Sequence, residues 1–417
     1  MIIKRDLYLK KLIEREFNGM VKVITGIRRA GKSFLLFKLY KDYLTDKGIA
    51  ANHLIEIALD GIEAEPLRDP LACYDFIKGQ IKDKAPYYVF LDEVQFMPRF
   101  EEVLNSLLRI GNVDVYVTGS NSQFLLVDVI TQFRGRGDEI RVYPLSFAEF
   151  YAATGGEYDR SFDEYLNYGG LPALVDMQDS QRKMDYLKKL FDSVYLKDVI
   201  ERHHLRSHSE INTLVDILAS SIGTYTNPTK IANTFKTQIK TTYTNKTIYA
   251  HLEHLEDAYL ISRALRYDIK GRKYIGAKLK YYFTDVGLRN ARLNFRQQEQ
   301  PHLMENIVYN ELLLRGYAVD VGVVEITQLS SDQKNIRKQL EVDFVCNKGS
   351  QRYYLQVAWA MPALQKQAQE FKSLNHIPDS FKKLVIVNGT AGPWRNDRGY
   401  VIMGMKYFLL NEDSLEF

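Results

Sequence analysis

The sequence predicts an α/β protein of more than one domain, and three observations indicate this fold class. Its 417 residues amount to about two to three times the usual length of a domain. Short apolar runs that are typical of buried parallel strands occur together with helical patterns between residues 21 and 118. A second region of this kind lies between residues 303 and 389. Helical patterns dominate the stretch between them, so we expect two α/β cores joined by a largely helical middle.

Composition excludes membrane-spanning and disulfide-rich proteins. Hydrophobic residues make up 46% and charged residues 26% of the chain, and no apolar run approaches the roughly 18 residues that a transmembrane helix requires. The amino terminus, MIIKRDLYLK, lacks the apolar stretch and the cleavage site of an export signal. The two cysteines, Cys73 and Cys346, are too few for a disulfide framework or a cysteine-rich zinc site. We therefore expect a cytoplasmic protein without membrane contact.

The net charge of +4 conceals a basic segment. Residues 221–290 contain twelve lysines or arginines and five acids, a charge of +7, so that the other 347 residues carry −3. A local basic excess favours a polyanionic partner, nucleic acid first, because each neutralised phosphate releases counterions. A basic surface that is only solvated is the alternative interpretation.

The first core begins with a phosphate-binding pattern. The β-branched run VKVIT at 21–25 predicts a buried strand, and GIRRAGKS at 26–33 follows it directly. After it, FLLFKLYKDYL repeats apolar residues at near-helical spacing. Gly26 and Gly31 let the backbone curl so that its N–H groups point at phosphate oxygens, and the helix dipole adds to that field. Strand, glycine loop and helix therefore predict a P-loop.

Two residues of the P-loop carry the chemistry. Lys32 would reach the β- and γ-phosphate oxygens as a catalytic group, and the Ser33 hydroxyl would ligate Mg²⁺. The predicted nucleotide-binding residues of this segment are Gly26, Ile27, Arg28, Arg29, Ala30, Gly31, Lys32, Ser33 and Phe34.

A second apolar run, YYVFLDE at 87–93, ends in two acids. Asp92 at the carboxyl end of such a strand would hold Mg²⁺ through water, and Glu93 would be the catalytic residue that orients and polarises the attacking water. Adjacent acids in a solvated turn are the alternative, which the P-loop upstream disfavours.

A third run, DVYVTGSNS at 114–122, ends where a γ-phosphate sensor would lie. Ser120 and Asn121 are the candidate nucleotide contacts, with Thr118 behind them, although TGSNS is also ordinary turn chemistry. Further on, Arg134 and Arg136 stand between glycines. Arg136 is the better candidate for the positive charge that stabilises phosphoryl transfer, in cis or in a neighbouring subunit, and an uninvolved basic loop is the alternative.

These motifs resemble the AAA-14 group of bacterial and archaeal AAA+-like ATPases, whose usual companion is a carboxyl-terminal DUF4143 region. The resemblance rests on GIRRAGKS, YVFLDEVQ, VTGSNS, the glycine-flanked arginines and YPLSFAEF, and it extends more loosely over the rest of the chain. It implies an AAA+-like P-loop ATPase core at 1–155 that binds ATP and Mg²⁺. The site residues that it implies are Lys32, Ser33, Asp92 and Glu93.

Residues 156–208 predict a helical lid. Apolar residues between 187 and 199 mark a long amphipathic helix, which is the natural element to follow an ATPase core. His203, His204 and His208 invite a metal interpretation, but no cysteine or carboxylate completes a ligand set at zinc-like spacing. We therefore predict no metal site here.

Residues 209–295 predict a winged helix. Three helical patterns, INTLVDILASSIG, TNPTKIANTFK and NKTIYAHLEHLEDAYLI, precede the strand-like runs SRALRYD and KLKYYFTD, which flank the basic turn IKGRKYIG. In a winged helix the third helix enters the major groove and the hairpin meets phosphates. A role in protein contacts or packing is the alternative. The predicted nucleic-acid contacts are Lys246, Thr247 and Tyr249 on the third helix and Lys270, Arg272 and Lys273 on the wing.

Residues 296–417 have the element order of a PD-(D/E)xK nuclease core, that is, of a restriction-endonuclease-like α/β domain, to which DUF4143 regions are similar. A helix LMENIVYNELLLRG is followed by the strand-like runs LEVDFVC, YYLQVAWA and KLVIVNG. In this resemblance Glu311 matches the helix acid, Asp343 the central metal acid and Gln356 the third position. Ala358 falls on the position of the catalytic lysine, so two of the four roles are missing and we predict an inactive, vestigial site. Lys366 could replace that lysine only by reaching in from elsewhere.

The leading functional hypothesis is a Mg²⁺-dependent ATPase that couples its nucleotide state to a duplex DNA or protein partner through the winged helix. A non-hydrolysing ATP switch is one alternative. The other is an ATP-gated nuclease of a defence or mobile-element system, which the altered nuclease site disfavours. An arginine acting in trans would imply an oligomer, and the sequence leaves the oligomeric state and the pathway open.

Overall fold

The computed structural model describes residues 2–119, 136–205, 208–239, 244–296, 299–329, 335–360 and 371–417. Ser120, Asn121, Arg134 and Lys366 therefore lie outside the described residues. The chain forms two compact units. The amino-terminal unit comprises Met1–Leu145, Leu171–Asp176 and Asp257–Leu260, and the carboxyl-terminal unit comprises Ser146–Gly170, Met177–Glu256 and Ile261–Phe417.

The amino-terminal unit is built on a five-stranded parallel sheet with the strand order β2-β3-β4-β1-β5. The strands are β1 (Val21–Thr25), β2 (Leu54–Ala58), β3 (Tyr87–Asp92), β4 (Val113–Thr118) and β5 (Gly137–Arg141). Every residue of β1, β3 and β4 is buried, as expected for central parallel strands that are covered on both faces. The prediction of an α/β fold with a parallel sheet is confirmed. Because β4 lies between β1 and β3, the ends of all three strands meet at one edge.

Four helices that matter for the site surround this sheet. They are α1 (Asp6–Ile13), α2 (Lys32–Phe34, Leu35–Tyr40 and Lys41–Asp46 without a break), α3 (Pro70–Gln80) and α4 (Phe100–Leu107). The start of helix α3 is fixed by a cap: the side chain of Asp69 accepts a hydrogen bond from the backbone N–H of Ala72 at 2.9 Å, and Pro70 occupies the first turn.

The carboxyl-terminal unit is built on a nine-stranded mixed sheet with the order β13-β14-β12-β11-β10-β9-β7-β8-β6. Its strands are β6 (Tyr225–Thr226), β7 (Ile261–Asp268), β8 (Lys273–Phe283), β9 (Ala318–Leu329), β10 (Asn335–Lys348), β11 (Gln351–Ala358), β12 (Lys382–Val387), β13 (Trp394–Arg395) and β14 (Val401–Gly404). Its helices are α5 (Phe147–Thr154), α6 (Tyr158–Tyr168), α7 (Ser180–Leu190, Phe191–Leu196 and Lys197–Arg202), α8 (His208–Ser220), α9 (Pro228–Thr234 and Phe235–Ile239), α10 (Asn245–Asp257), α11 (Val286–Arg292), α12 (Gln300–Leu314) and α13 (Met405–Leu410).

One strand pair joins two segments that the sequence analysis treats as separate domains. Strand β7 pairs in parallel with β9, placing Arg266 opposite Val321 and Asp268 opposite Val323. The hairpin β7–β8 is thus part of the same sheet as the carboxyl-terminal strands, because the free edge of β7 finds its hydrogen-bond partners on β9. Residue 295 is not a boundary of this sheet. The division into four segments stays a prediction.

The order of elements in the middle of the chain agrees with the expected sequence of helices and strands. Helices α8, α9 and α10 precede the hairpin, whose second strand begins at Lys273, five residues before the predicted run KLKYYFTD. Helix α10 buries Ile248, Leu252 and Leu255 and leaves Lys246 exposed. The winged-helix assignment itself stays a prediction.

The start of α11 is fixed by a close approach to the chain after α6. The carboxylate of Asp285 accepts hydrogen bonds from the backbone N–H of Leu288 at 3.1 Å and from that of Gly170 at 2.7 Å. Burial raises the pKa of Asp285 to about 6. A Cβ atom on Gly287 would lie 1.8 Å from the carbonyl oxygen of Tyr168, so only glycine fits there.

Throughout the described ranges, every helix is too short or too polar to cross a bilayer. Cys73 and Cys346 are both free and buried.

Candidate nucleotide-binding site

The P-loop connects the carboxyl end of β1 to the start of α2. Its backbone has positive φ angles of 131° at Gly26, 62° at Arg29 and 94° at Gly31. A Cβ atom on Gly26 would lie only 2.0 Å from the carbonyl oxygen of Val142, so the loop requires glycine at this position. Ile27 and Ala30 are buried beneath the loop, whereas Arg29, Ser33 and Phe34 are exposed and Arg28 is half-buried.

The side chain of Lys32 is folded into the loop. Its ammonium group donates hydrogen bonds to the carbonyl oxygens of Gly26 at 2.9 Å and Ile27 at 3.1 Å, and the residue is only 5% exposed. Bonds from an ammonium to neutral carbonyls are weaker than bonds to an anion. The ammonium of Lys32 is therefore held at the P-loop by partners that phosphate oxygens can replace.

Three side chains from different elements meet at the edge next to the P-loop. The Ser33 hydroxyl donates to Oδ1 of Asp92 at 3.0 Å, and the hydroxyl of Thr118 at the end of β4 donates to the same oxygen. Burial raises the pKa of Asp92, and the hydrogen bonds from Thr118 and Ser33 oppose that shift. The predicted metal residues Ser33 and Asp92 are therefore adjacent in space. A hydroxyl and a carboxylate are oxygen ligands that fit Mg²⁺.

Glu93 follows Asp92 in an unusual conformation. Its φ of 49° lies in the left-handed region, which costs on the order of 1 kcal/mol or more for a residue other than glycine. The backbone N–H of Glu93 donates to the Thr118 hydroxyl at 3.0 Å, and its carboxylate accepts a hydrogen bond from the side-chain amide of Gln95. Glu93 is thus held at the same edge as Asp92. Its role in polarising water stays a prediction.

Thr118 makes two hydrogen bonds at the site that the sequence does not predict. It links the two acids, since its hydroxyl donates to Asp92 and accepts from the backbone of Glu93. Its position at the end of the strand was visible in the sequence, but its partners were not, because they depend on β4 lying beside β3.

Arg136 lies at the wrong edge of the sheet for a role in its own chain. It precedes β5, and its carbonyl oxygen accepts a hydrogen bond from the backbone N–H of Val21 at the start of β1. Strands β1 and β5 are parallel, and five residues at about 3.3 Å each separate this edge from the P-loop by about 16 Å. The prediction of a role in cis is therefore wrong on geometric grounds. The exposed side chain leaves a role in a neighbouring subunit as a prediction.

Arg5 is a residue at the site that the sequence analysis missed. Its guanidinium donates to the carbonyl oxygen of Ala30 in the P-loop at 3.1 Å and to that of Tyr143 after β5 at 2.7 Å. The hydroxyl of Tyr8 accepts a hydrogen bond from the backbone N–H of Tyr143 at 3.0 Å. Arg5 is 5% exposed, although its sequence context, MIIKRD, reads as an ordinary charged terminus.

Replacing Arg5 by alanine is expected to lower the affinity for ATP by up to about tenfold, which corresponds to about 1.4 kcal/mol. The physical reason is that two charge-assisted hydrogen bonds, each contributing about 1.5–3 kcal/mol in favourable cases, no longer hold the loop against the backbone after β5. Binding of a fluorescent ATP analogue measures the change. Arg15→Ala is the matched control, because Arg15 pairs with Asp138 at 2.9 Å. Equal affinities of the two variants would contradict the role of Arg5.

The predicted vestigial nuclease residues are not all brought together. Glu311 on α12 pairs with Arg315 at 2.8 Å. Asp343 accepts a hydrogen bond from the backbone N–H of Val357 at 2.8 Å, and Gln356 accepts one from the hydroxyl of Ser373 at 3.4 Å.

The helix acid whose charge acts on Asp343 is Glu305, not Glu311. Burial raises the pKa of Asp343 far above its usual value, the charge of Glu305 raises it further, and the charge of Lys280 opposes both. Glu305 and Glu311 are six residues apart on one helix, which turns their side chains about 120° away from each other. The prediction of Glu311 as the helix acid rests on the order of motifs and not on the face of the helix, and it is wrong.

Lys280 from the hairpin joins this acidic cluster. Its ammonium group lies 2.9 Å from Oε1 of Glu305 and 2.5 Å from Oε1 of Glu341, and the hydroxyl of Tyr282 donates to Glu305 at 2.6 Å. A lysine is thus present beside the acids although Ala358 occupies the expected position. Local sequence patterns do not predict this lysine, because β8 and α12 approach each other only in the folded unit.

The predicted nucleic-acid contacts differ in how exposed they are and in whether their polar groups are already hydrogen-bonded within the protein. Lys246, Arg272 and Lys273 are exposed, as is 40% of Tyr249. The hydroxyl of Thr247 is hydrogen-bonded to that of Thr244 at 2.8 Å at the start of α10. Lys270 donates to the carbonyl oxygen of Glu325 on β9 at 2.9 Å, so its ammonium is engaged within the protein.

Comparison with protein families matches three successive regions. Residues 18–151 match the AAA-14 family, described as an AAA domain. Residues 159–299 match a domain of unknown function, DUF8612, and residues 301–408 match another, DUF4143. The boundary between the last two falls at the first turn of α12.

Two curated relatives are similar over most of their length. An uncharacterized protein of Haemophilus influenzae is 35% identical over 395 residues, which cover 92% of this chain and 93% of that protein. An uncharacterized protein of Methanocaldococcus jannaschii is 28% identical over 384 residues, which cover 88% of this chain and 80% of that protein.

Solved structures show only distant likeness. The ORC1 protein of Aeropyrum pernix in complex with DNA has a TM-score of 0.29 at 13% identity, covering 70% of this chain and 92% of that chain. Cdc6p of Pyrobaculum aerophilum has a TM-score of 0.29 at 12% identity, covering 74% of this chain and 95% of that chain. Scores this low carry no argument about function.

Proposed function

Since the chain belongs to the AAA-14 family with a carboxyl-terminal DUF4143 region, we propose that it is a cytoplasmic Mg²⁺-dependent ATPase that couples its nucleotide state to a partner, duplex DNA first. The observation that carries the proposal is the contact between Ser33 and Asp92 beside the P-loop lysine. It joins the predicted phosphate-binding and metal-binding residues at one sheet edge.

The residues of the P-loop would bind the phosphates. The ammonium of Lys32 would leave the carbonyl oxygens of Gly26 and Ile27 for the β- and γ-phosphate oxygens, while the loop N–H groups surround the anion. Ser33 and Asp92 would hold Mg²⁺, which when bound neutralises charge on the phosphates. Ser120 and Asn121 stay proposed contacts of the γ-phosphate.

The carboxylate of Glu93 would orient the attacking water and accept its proton. Thr118 contributes to this step indirectly, since its hydroxyl bonds both Asp92 and the backbone of Glu93 and so keeps the two acids in a fixed relation. Arg136, exposed at the opposite edge, would act only on the site of a neighbouring subunit, which requires an oligomer.

The proposed partner surface comprises exposed residues of α10 and of the hairpin β7–β8, which we propose to be the third helix and the wing of a winged helix. Lys246 and Tyr249 lie on α10, and Arg272 and Lys273 lie at the hairpin turn. The acidic cluster around Asp343 is proposed to be a vestige of a nuclease-like domain. A protein partner at the same surface is the alternative outcome of the test below.

Duplex DNA is expected to bind the full-length protein and to stimulate phosphate release. Binding should weaken steeply with salt, and the triple variant Lys246→Ala, Arg272→Ala, Lys273→Ala should reduce the slope of log K against log salt by about 0.9 for each phosphate contact that is lost. Fluorescence anisotropy at several salt concentrations measures the slope, and a phosphate-release assay measures the stimulation.

A matched triple variant, Lys10→Ala, Lys38→Ala, Lys348→Ala, removes the same number of exposed charges elsewhere. Flat titrations of the wild type at low salt would exclude duplex DNA and direct the search to a protein partner. Binding without any phosphate release would instead support the non-hydrolysing switch.

A further inference from the structure

A short piece of chain between α10 and β7 belongs to the amino-terminal unit. It comprises Asp257–Leu260, and we call it the strap. The chain up to Glu256 and the chain from Ile261 onward both belong to the carboxyl-terminal unit. Within the strap, Tyr259 is only 3% exposed and its backbone has a φ of 56°. This left-handed conformation is unfavourable for a residue with a side chain, so the surrounding structure must hold it in place.

Two side chains of β5 hold the side chain of Tyr259. The guanidinium of Arg141 lies 4.8 Å from the ring centroid of Tyr259 and 4.8 Å from that of Tyr143. The hydroxyl of Tyr259 donates to Oε1 of Glu139 at 3.5 Å. Burial raises the pKa of Tyr259, so the hydroxyl keeps the proton that it donates. The strap is thus attached to β5 by a cation–π contact and a hydrogen bond.

The same part of β5 is bonded to the residue that precedes the P-loop. That residue is Thr25, and its hydroxyl donates to Oε1 of Glu139 at 2.5 Å. The backbone N–H of Val142, next to Arg141, donates to the carbonyl oxygen of Thr25 at 2.8 Å. The P-loop therefore begins one residue after a side chain that shares the carboxylate of Glu139 with Tyr259.

ATP would change the hydrogen bonds of the first two residues of the P-loop. The ammonium of Lys32 donates to the carbonyl oxygens of Gly26 and Ile27, and phosphate oxygens would replace both as its partners. The backbone of Gly26 lies against β5, since a Cβ atom there would be 2.0 Å from the carbonyl oxygen of Val142. A rearrangement of the loop on nucleotide binding would therefore act on the end of β5 that holds the strap.

The strap is covalently continuous with both elements of the proposed partner surface. Helix α10 ends at Asp257 and β7 begins at Ile261, so three residues connect them. Three residues span at most about 11 Å, and a change in the backbone of the middle one redirects the chain on both sides.

We propose, on the basis of the ATP site proposed above, that Tyr259 is a positioning residue that couples nucleotide occupancy of the P-loop to the placement of α10 and the hairpin β7–β8. The contacts with Arg141 and Glu139 hold the strained backbone in one arrangement, and nucleotide binding shifts it. Such coupling is reciprocal, so a partner that prefers one placement of α10 and the hairpin changes the affinity for ATP by the same factor.

Amide hydrogen exchange of the full-length protein with and without saturating Mg²⁺ and ATPγS tests this coupling. In the wild type we expect slower exchange in the P-loop and a change of about fivefold or more in peptides that cover residues 245–257 and 261–283. In Tyr259→Ala the P-loop should still be protected, but the response of the other two segments should be lost, because no ring covers Arg141. Tyr259→Phe keeps that ring and should restore most of the response.

Tyr74→Ala is the matched control. Tyr74 lies on α3 in the same unit, and the ammonium of Lys78 is 5.6 Å from its ring centroid. This variant should respond as the wild type does. Arg141→Gln removes the contact with Tyr259 from the other side and leaves the strap unchanged, so it should lose the response even if Tyr259→Ala fails to fold.

The P-loop peptides distinguish the two ways in which this inference can fail. A protected P-loop without a response at 245–257 and 261–283 in the wild type would overturn the coupling alone. A full response in both Tyr259→Ala and Arg141→Gln would do the same. An unprotected P-loop in the wild type would overturn the proposed ATP site and the coupling with it. Phosphate release enters none of these measurements, so a non-hydrolysing switch would give the same exchange pattern.

Discussion

Replacing Glu93 by glutamine is expected to lower the rate of ATP hydrolysis by at least about 100-fold while leaving ATP binding nearly unchanged. General-base catalysis contributes about 10²–10⁴-fold, and the amide cannot accept the proton of the attacking water. The substitution preserves size, and the left-handed backbone of Glu93 stays held by its hydrogen bond to Thr118. Single-turnover phosphate release measures the chemical step, and equilibrium titration with labelled ATP measures binding.

Glu102→Gln is the matched control, because Glu102 is an exposed acid on α4 whose side chain lies 3.5 Å from the guanidinium of Arg99. Its hydrolysis rate should equal that of the wild type. Retained hydrolysis in the Glu93 variant would show that another group activates the water. A loss of ATP binding in that variant would instead place Glu93 among the structural supports of the loop.

Replacing Lys280 by methionine is expected to destabilise the carboxyl-terminal unit by about 3–5 kcal/mol, the usual cost of removing one partner from a buried ion pair. The ammonium is buried, and the charges of Glu305 and Glu341 raise the pKa of Lys280 although burial alone would lower it. Without it, the carboxylates of Glu305 and Glu341 face Asp343 without the counter-charge that residue 280 supplies. Urea unfolding followed by circular dichroism measures the loss, with each transition fitted separately.

The pH dependence of that loss has a definite sign. Burial alone would raise the pKa of Glu305, but Lys280 and its hydrogen bonds hold the pKa below its usual value of 4.5. Glu305 therefore contributes stability above the unfolded-state pKa, and this contribution is lost as the pH falls through the folded-state value. Removing Lys280 raises the pKa of Glu305, so folded variant protein takes up a proton as the pH falls and gains stability. The stability difference between wild type and variant should therefore decrease when the pH is lowered from 7 to 5.

Two further variants sharpen this test. Lys280→Met combined with Glu305→Gln removes one buried charge of each sign and should recover part of the loss. Lys348→Met removes a lysine whose ammonium donates to the carbonyl oxygen of Arg315 at an exposed position, and it should cost little. A Lys280 variant no less stable than the Lys348 variant would contradict the account of the cluster.

The parts of the site that the sequence predicted are those encoded by neighbouring residues. Thirteen residues contain a β-branched strand, two glycines and a Lys-Ser pair, and together they predict the P-loop as one local pattern. Asp92 was found because acids at the end of an apolar run occupy the edge where parallel strands end.

The parts that were missed depend on contacts between distant segments. Arg5 reaches Ala30 and Tyr143, and Lys280 reaches Glu305 and Glu341, yet local spacing contains no trace of these pairs. The position of Arg136, by contrast, could have been predicted from the sequence if β5 had been assumed to be parallel to β1. Arg136 stands before that strand, and a residue before a parallel strand lies at the edge away from the P-loop.

The parallel pairing of β7 with β9 places residues from the segments 209–295 and 296–417 in one sheet. A recombination event that attached a different tail to this hairpin would have to supply a strand that matches residues 266–268 in register. A gene that ended at residue 295 would encode a product with an unpaired strand edge, which is a template for aggregation. The two segments are therefore expected to be gained and lost together in evolution, even though family descriptions divide them at residue 300.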